Sequence, residues 1–281
     1  MARIFISSDS TCDLSPELIE KYGIHTIPLR VEHAGKLCSD GVDITPAEIF
    51  AAFKADGTLP KTAAITPADF EDYFRSLKAE GADEIVHFSI SSEFSCTHQN
   101  ATLAALEVEG VHCIDSRNLS TGIGLQVLKA ADMAAAGKSA DEICDEMARI
   151  ADKVDASFIL DTLAFLRAGG RCSSVAALSA TVLNIKPCIV VDNGKMHASK
   201  KYMGSLGKAL QKYAADRLAG VTVDRTRVFV THTEMDPATV QSVKDIVAAT
   251  GLFDEILETT AGCTVSAHCG PGCLGVLFIH E

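Results

Sequence analysis

Tryptophan is missing from this chain, and aromatic residues make up only 6% of its 281 positions. Single-stranded nucleic acid binding relies on aromatic platforms for base stacking, so that function is poorly served. A basic surplus is missing too: 25 Lys and Arg face 37 Asp and Glu, for a net charge of −12. Such a balance argues against polyanionic partners, both nucleic acid and anionic membrane surfaces. No unbroken apolar run is long enough to span a bilayer, so no stable membrane anchoring is expected. Met1-Ala2-Arg3 leads directly into a strand pattern, without the charged, apolar and cleavage regions of a secretory signal, and a cytoplasmic location is the expectation. A G-x-S-x-G elbow is also lacking, which leaves an α/β-hydrolase reading without support.

What the chain does have is apolar material. Hydrophobic residues reach 47%, with a mean hydropathy of +0.19. In the absence of a membrane span, that excess needs an internal home: a large core, a subunit interface or a greasy ligand cavity. Ten cysteines are present, but Cys12, Cys38, Cys113, Cys144, Cys172 and Cys188 are scattered, mostly inside apolar patterns. Buried free thiols behave as small hydrophobes, so a reducing compartment fits better than a disulfide scaffold. The length favours two domains.

Up to about residue 154 the chain alternates strands and helices, with strands expected at 3–7, 25–31, 84–90 and 111–115. Helix starts are marked by capping boxes at Thr45-Pro46-Ala47-Glu48 and Ser139-Ala140-Asp141-Glu142, and by Ser15-Pro16 and Thr66-Pro67. The spacing predicts an α/β domain over 1–154 around a mainly parallel sheet. From 155 the character changes. A strand at 156–160 leads into a short helix that stops at Gly169-Gly170, and Asp192-Asn193-Gly194 separates two apolar segments as a hairpin turn. Helices over 206–218 and 237–249, a strand over 227–232 and two last strands complete an α+β domain over 155–281. A ligand cleft between the two domains is expected.

The stretch 84–99 carries the clearest functional signal. An apolar run through Ile90 stops at Ser91 and Ser92, and Ser95-Cys96-Thr97 then opens an Ala-rich helical pattern. A buried strand that enters a hydroxyl-rich turn and a helix N-terminus suits the gripping of an oxyanion. No strong nucleophile stands there with its base beside it. His268 is the histidine of most interest. It lies just before Gly270-Pro271-Gly272, which reads as the approach to a buried strand, and could donate a hydrogen bond to a ligand anion across the cleft. Gly270 and Gly272 would let the backbone come close without a Cβ in the way. Gly270–Gly275 fits G-x-G-x-x-G only formally, because it opens the terminal strand with no chain left for a βαβ unit. Cys269 and Cys273 are one residue too far apart for C-x-x-C, and Cys263, His268, Cys269 and Cys273 lack the paired spacing of structural zinc sites. Neither a metal nor a cofactor is expected.

Six short segments stand in order over the whole chain: Asp9–Leu14, Ile90–Gln99, Val111–Gly124, Gly169-Gly170-Arg171, Leu183-Asn184-Ile185-Lys186-Pro187 and His268–Gly272. Together they resemble the DegV family of bacterial fatty-acid-binding proteins. The resemblance implies two α/β-type domains with a long-chain fatty acid buried between them. It also implies a partner, a separate fatty acid kinase that phosphorylates the presented carboxylate. Residue by residue, it assigns the carboxylate to Thr62 (in Leu59-Pro60-Lys61-Thr62), Ser95 and His268, with Ser92 nearby in the hydroxyl-rich turn. Ala63, Ala64 and Ile65 depart from the family's polar loop, and a basic residue that some members carry after the hairpin is missing around Tyr202-Met203. Arg171, after two glycines, is assigned to a kinase-docking surface rather than to the lipid site.

Three function classes follow. A lipid carrier without turnover is favoured by the apolar surplus, the missing nucleophile–base pair and the resemblance. An acyl-transfer or hydrolytic enzyme would pair Ser95 with His268, but no acidic orienter is evident. A module for a small polar ligand would need a polar pocket that the sequence does not advertise.

Overall fold

Two sheets of different construction organise the computed structural model, which describes residues 2–172 and 185–281. Leu183 and Asn184, part of one resembling segment, lie outside the described residues. The first sheet is all parallel, in the order His25–Ile27, Ile4–Asp9, Glu84–Ser89, Val111–Asp115. Parallel strands joined by helices must bury both faces, and these do. On one face, Phe5 and Ile85 pack on Phe70 and Phe74 of the helix Pro67–Ala79. On the other, Ile6, Val86 and Phe88 meet Ile123, Val127 and Leu128 of the helix Thr121–Ala135. The expected helix starts are observed, with side-chain caps at Ser15 and Thr66 and complete capping boxes at Thr45/Glu48 and Ser139/Glu142.

The second sheet has six strands, in the order Lys195–Met203, Ile185–Asp192, Val154–Ile159, Leu274–Ile279, Val228–His232, Ile256–Thr260. Only the last pair is parallel. Asn193 and Gly194, at φ 50° and 77°, form the two-residue hairpin turn, the left-handed geometry that Asn-Gly favours. The helices Leu206–Leu218 and Pro237–Ala249 form as expected.

Three elements differ from the sequence reading. The segment 25–31 is not one strand. Pro28 has no N–H for a ladder, so pairing in the parallel sheet ends at Ile27, and Arg30–His33 joins a separate three-stranded antiparallel sheet with Lys36–Ser39 and Lys61–Ala63. The helix Thr121–Ala135 is not among the expected elements: Ser120 gives it no side-chain cap, and Lys129 and Asp132 are its only charged residues. Ten of its residues are buried, and the cluster it anchors extends to Phe158 and Leu277 of the second sheet. Its Gly124 admits Leu14 and the Cys12 carbonyl, which a Cβ would meet at 2.9 and 3.0 Å. The third difference is the helix Cys263–Cys269, which carries His268.

Candidate functional site

His268 does not stand at the approach to a strand but in the last turn of that seven-residue helix. Seven residues without a side-chain N-cap of their own are too few for a helix to hold alone. The missing caps come from far away in the chain. Asp13 accepts the Gly262 N–H at 2.8 Å, and Asp40 accepts those of Cys263 and Thr264 at 2.7 and 3.0 Å. Both side chains are buried, and burial pushes the Asp13 carboxyl up to about 8, so residues near the start of the chain fix the helix bearing His268 through hydrogen bonds rather than through two full charges. At its other end Gly270 and Gly272, both at φ 73°, turn the chain. Their close approach is to the protein itself, since a Cβ would meet the Phe165 ring at 2.6 Å and Asp161 Cβ at 2.8 Å.

Thr62 sits in the middle of Lys61–Ala63, opposite Val31, and its Oγ1 lies 2.9 Å from His268 Nε2. Residues 206 positions apart thus meet edge to edge. Ser95, in the turn before the helix Thr97–Ala105, bonds Thr97 Oγ1 at 2.8 Å and accepts the Thr97 N–H at 3.2 Å. Thr62, Ser95 and His268 all line one cavity of about 140 Å³. Its walls are apolar: Leu29, Ala63, Ala64, Ile90, Phe94, Leu119, Leu166 and Met196. Burial pushes the His268 imidazole down to about 4, helped by the positive charge of Arg171, so the ring is neutral at physiological pH. Arg171 is the one charged side chain among the described residues that line the cavity. A cluster of hydroxyls, a neutral imidazole and a guanidinium at the edge of an apolar cavity suits a single anionic head group on an apolar body.

The other expected residues fall differently. Ser92 is exposed and does not line the cavity; its hydroxyl donates to Asp115 Oδ2 at 2.6 Å and its N–H to Oδ1 at 3.2 Å. Ser91 faces inward instead, donating to the Gly194 carbonyl at 2.8 Å and tying the hairpin tip to this turn. Arg171, expected on a docking surface, lines this cavity, because the turn at Gly170 is left-handed at φ 67°. The turn brings Arg171 back over the cavity, where its Nη1 donates to the Gly169 carbonyl at 2.6 Å and its Nε to the Phe94 carbonyl at 3.4 Å.

Sequence reasoning missed Thr264, which lines the cavity one helical turn before His268. Its Oγ1 is buried without a hydrogen-bond partner among the described residues. The i,i+4 spacing to His268 is its only signal, and that signal exists only once the helix is known. Among the described residues the serine–histidine pairing of a hydrolase is not formed: Thr62, not Ser95, meets His268 Nε2, and Nδ1 has no hydrogen-bond partner to orient it.

Known proteins of this architecture share more than its outline. A solved DegV family protein from Thermus thermophilus, described for its fatty acid binding, has a TM-score of 0.89 at 32% identity, over 99% of this chain and 100% of its own. A DegV lipid binding protein from Thermotoga maritima has a TM-score of 0.84 at 25% identity, over 99% and 98%. A DegV domain-containing protein from Deinococcus radiodurans is 34% identical over 282 residues, 97% of each chain. A family model described as "Uncharacterised protein, DegV family" matches residues 3–281. The likeness thus runs through both sheets and the helix that carries His268, and this chain belongs to the DegV family.

Proposed function

We propose that this protein binds a long-chain fatty acid, with its carboxylate at Thr62, Ser95 and His268 and its acyl chain along the apolar walls. The observation that carries this reading is the meeting of Thr62, Ser95 and His268, from three remote segments, at one apolar cavity. The fatty-acid and lipid binding described for the Thermus and Thermotoga relatives supports it. Energetically, burying a dozen methylenes gains ~10 kcal/mol gross. Association and ordering remove several kcal/mol of this. Burial of the carboxylate is tolerated only if it is hydrogen-bonded, and two hydroxyls, one of them held by the His268 imidazole, meet that need. Native mass spectrometry of delipidated protein, titrated with fatty acids of several lengths, is expected to show one acid retained per chain. A folded protein that retains none would end the proposal.

The bound acid, in our proposal, is presented to a separate fatty acid kinase, which transfers a phosphoryl group to the carboxylate and yields an acyl phosphate. Arg171 supports this reading because it is exposed yet reaches the cavity, where it can touch both head group and partner. An Arg171→Ala variant, loaded with fatty acid and offered with ATP to the cognate kinase at limiting protein, is expected to give acyl phosphate more slowly than the parent. Equal rates would remove Arg171 from the docking surface.

A further inference from the structure

The two consecutive glycines before Arg171 do different work. Gly170 closes its helix in the left-handed region, at φ 67°, where glycine is the residue of choice. Gly169 is the last residue of the helix Ala164–Gly169 and is not among the residues with positive φ, so its backbone conformation is open to alanine. What it lacks room for is a side chain. A Cβ there would lie 2.1 Å from His268 Nδ1, 2.9 Å from Cε1 and 3.3 Å from Cγ.

That direction is occupied in glycine by a Cα hydrogen, which therefore points at Nδ1. A proton on this nitrogen would collide with it, whereas a bare lone pair receives it as a weak C–H contact. Nδ1 is buried and has no hydrogen-bond partner among the described residues, so a proton there would also be a buried donor left unsatisfied. The neutral ring must carry its single proton on the other nitrogen. Nε2–H then donates to Thr62 Oγ1, 2.9 Å away, which leaves the threonine O–H free to donate onward into the cavity.

We infer that Gly169 is a positioning residue of the head-group site: its missing side chain seats the His268 ring and fixes the Nε2–H tautomer, so that Thr62 serves as a hydrogen-bond donor to the ligand. This deepens the fatty-acid reading and rests on it for the identity of the ligand.

Nitrogen NMR of the lipid-free protein with labelled histidine rings, together with oleate titrations, tests the inference. In the parent, His268 is expected to show a bare Nδ1 and a protonated Nε2, and Gly169→Ala to abolish that signature and weaken oleate binding on the order of tenfold or more. Once His268→Ala has removed the ring, adding Gly169→Ala is expected to cause no further loss, because the new methyl then has space. A merely structural glycine would weaken binding equally in both backgrounds, and that result, or a parent His268 protonated at Nδ1, overturns the inference. Should the single variant fail to fold, the parent spectrum and the recovery of folding in the double variant decide. Absence of oleate binding in the parent counts against the fatty-acid reading alone, since the tautomer is read without lipid.

Discussion

Replacing Asp40 with alanine is expected to destabilise the protein by roughly 3–5 kcal/mol, the cost of leaving two buried donors and a half-buried one without an acceptor. The donors are the N–H groups of Cys263 and Thr264 and the hydroxyl of Ser10, the last at 3.0 Å. Ser10 in turn accepts the Leu29 N–H at 3.1 Å, so the loss extends to a wall of the cavity. Asn in place of Asp is expected to recover only part of the stability, because its amide nitrogen would face an N–H donor. Urea unfolding of the three proteins measures this. An Asp40→Ala variant within 1 kcal/mol of the parent, which would be the ordinary outcome of a surface change, contradicts the view that this carboxylate holds the His268 helix in place.

Removal of a single head-group contact is expected to lower fatty acid affinity about ten- to a hundredfold, from the 1.5–3 kcal/mol typical of a hydrogen bond to a charged group. The variants are Thr62→Ala and Ser95→Ala, which remove donors to the carboxylate, and His268→Ala, which removes the N–H that orients the Thr62 hydroxyl, each titrated with the acid and with its methyl ester. The ester has no anion, so it should respond far less. Because burial and Arg171 hold His268 down to about 4, its ring stays neutral, and the effect of His268→Ala should be the same at pH 6 and pH 8. In sign, a histidine whose pKa is lowered by folding gains its proton only below the folded value, so no titration of this ring falls between those two pH values. Equal losses for acid and ester would remove the anchoring model.

Much of the frame is local chemistry and was legible in the chain itself. Thr45 and Ser139 cap their helices with the glutamates three residues on, and Asn193-Gly194 turns its hairpin, because each of these bonds closes within four residues. Alternation of such helices with short apolar strands was enough for the parallel sheet. The apolar excess was legible too, but not where it goes: part of it forms the helix Thr121–Ala135, which has no side-chain cap at its start and packs between both sheets.

The site itself was decided by tertiary structure. Thr62, Ser95 and His268 could be named one at a time from the chain and its resemblance, yet nothing local says that Thr62 and His268 touch. The helix that carries His268 was unreadable because its caps, Asp13 and Asp40, lie more than 220 residues away. For the same reason Thr264 went unseen and Arg171 was placed away from the cavity, since a helical turn and a left-handed glycine decide which way each side chain faces. Sequence fixes hydrogen bonds that close over a few residues, and with them the helices, turns and sheet type. Bonds that close over hundreds of residues depend on how the whole chain packs, and here those are the ones that make the binding site.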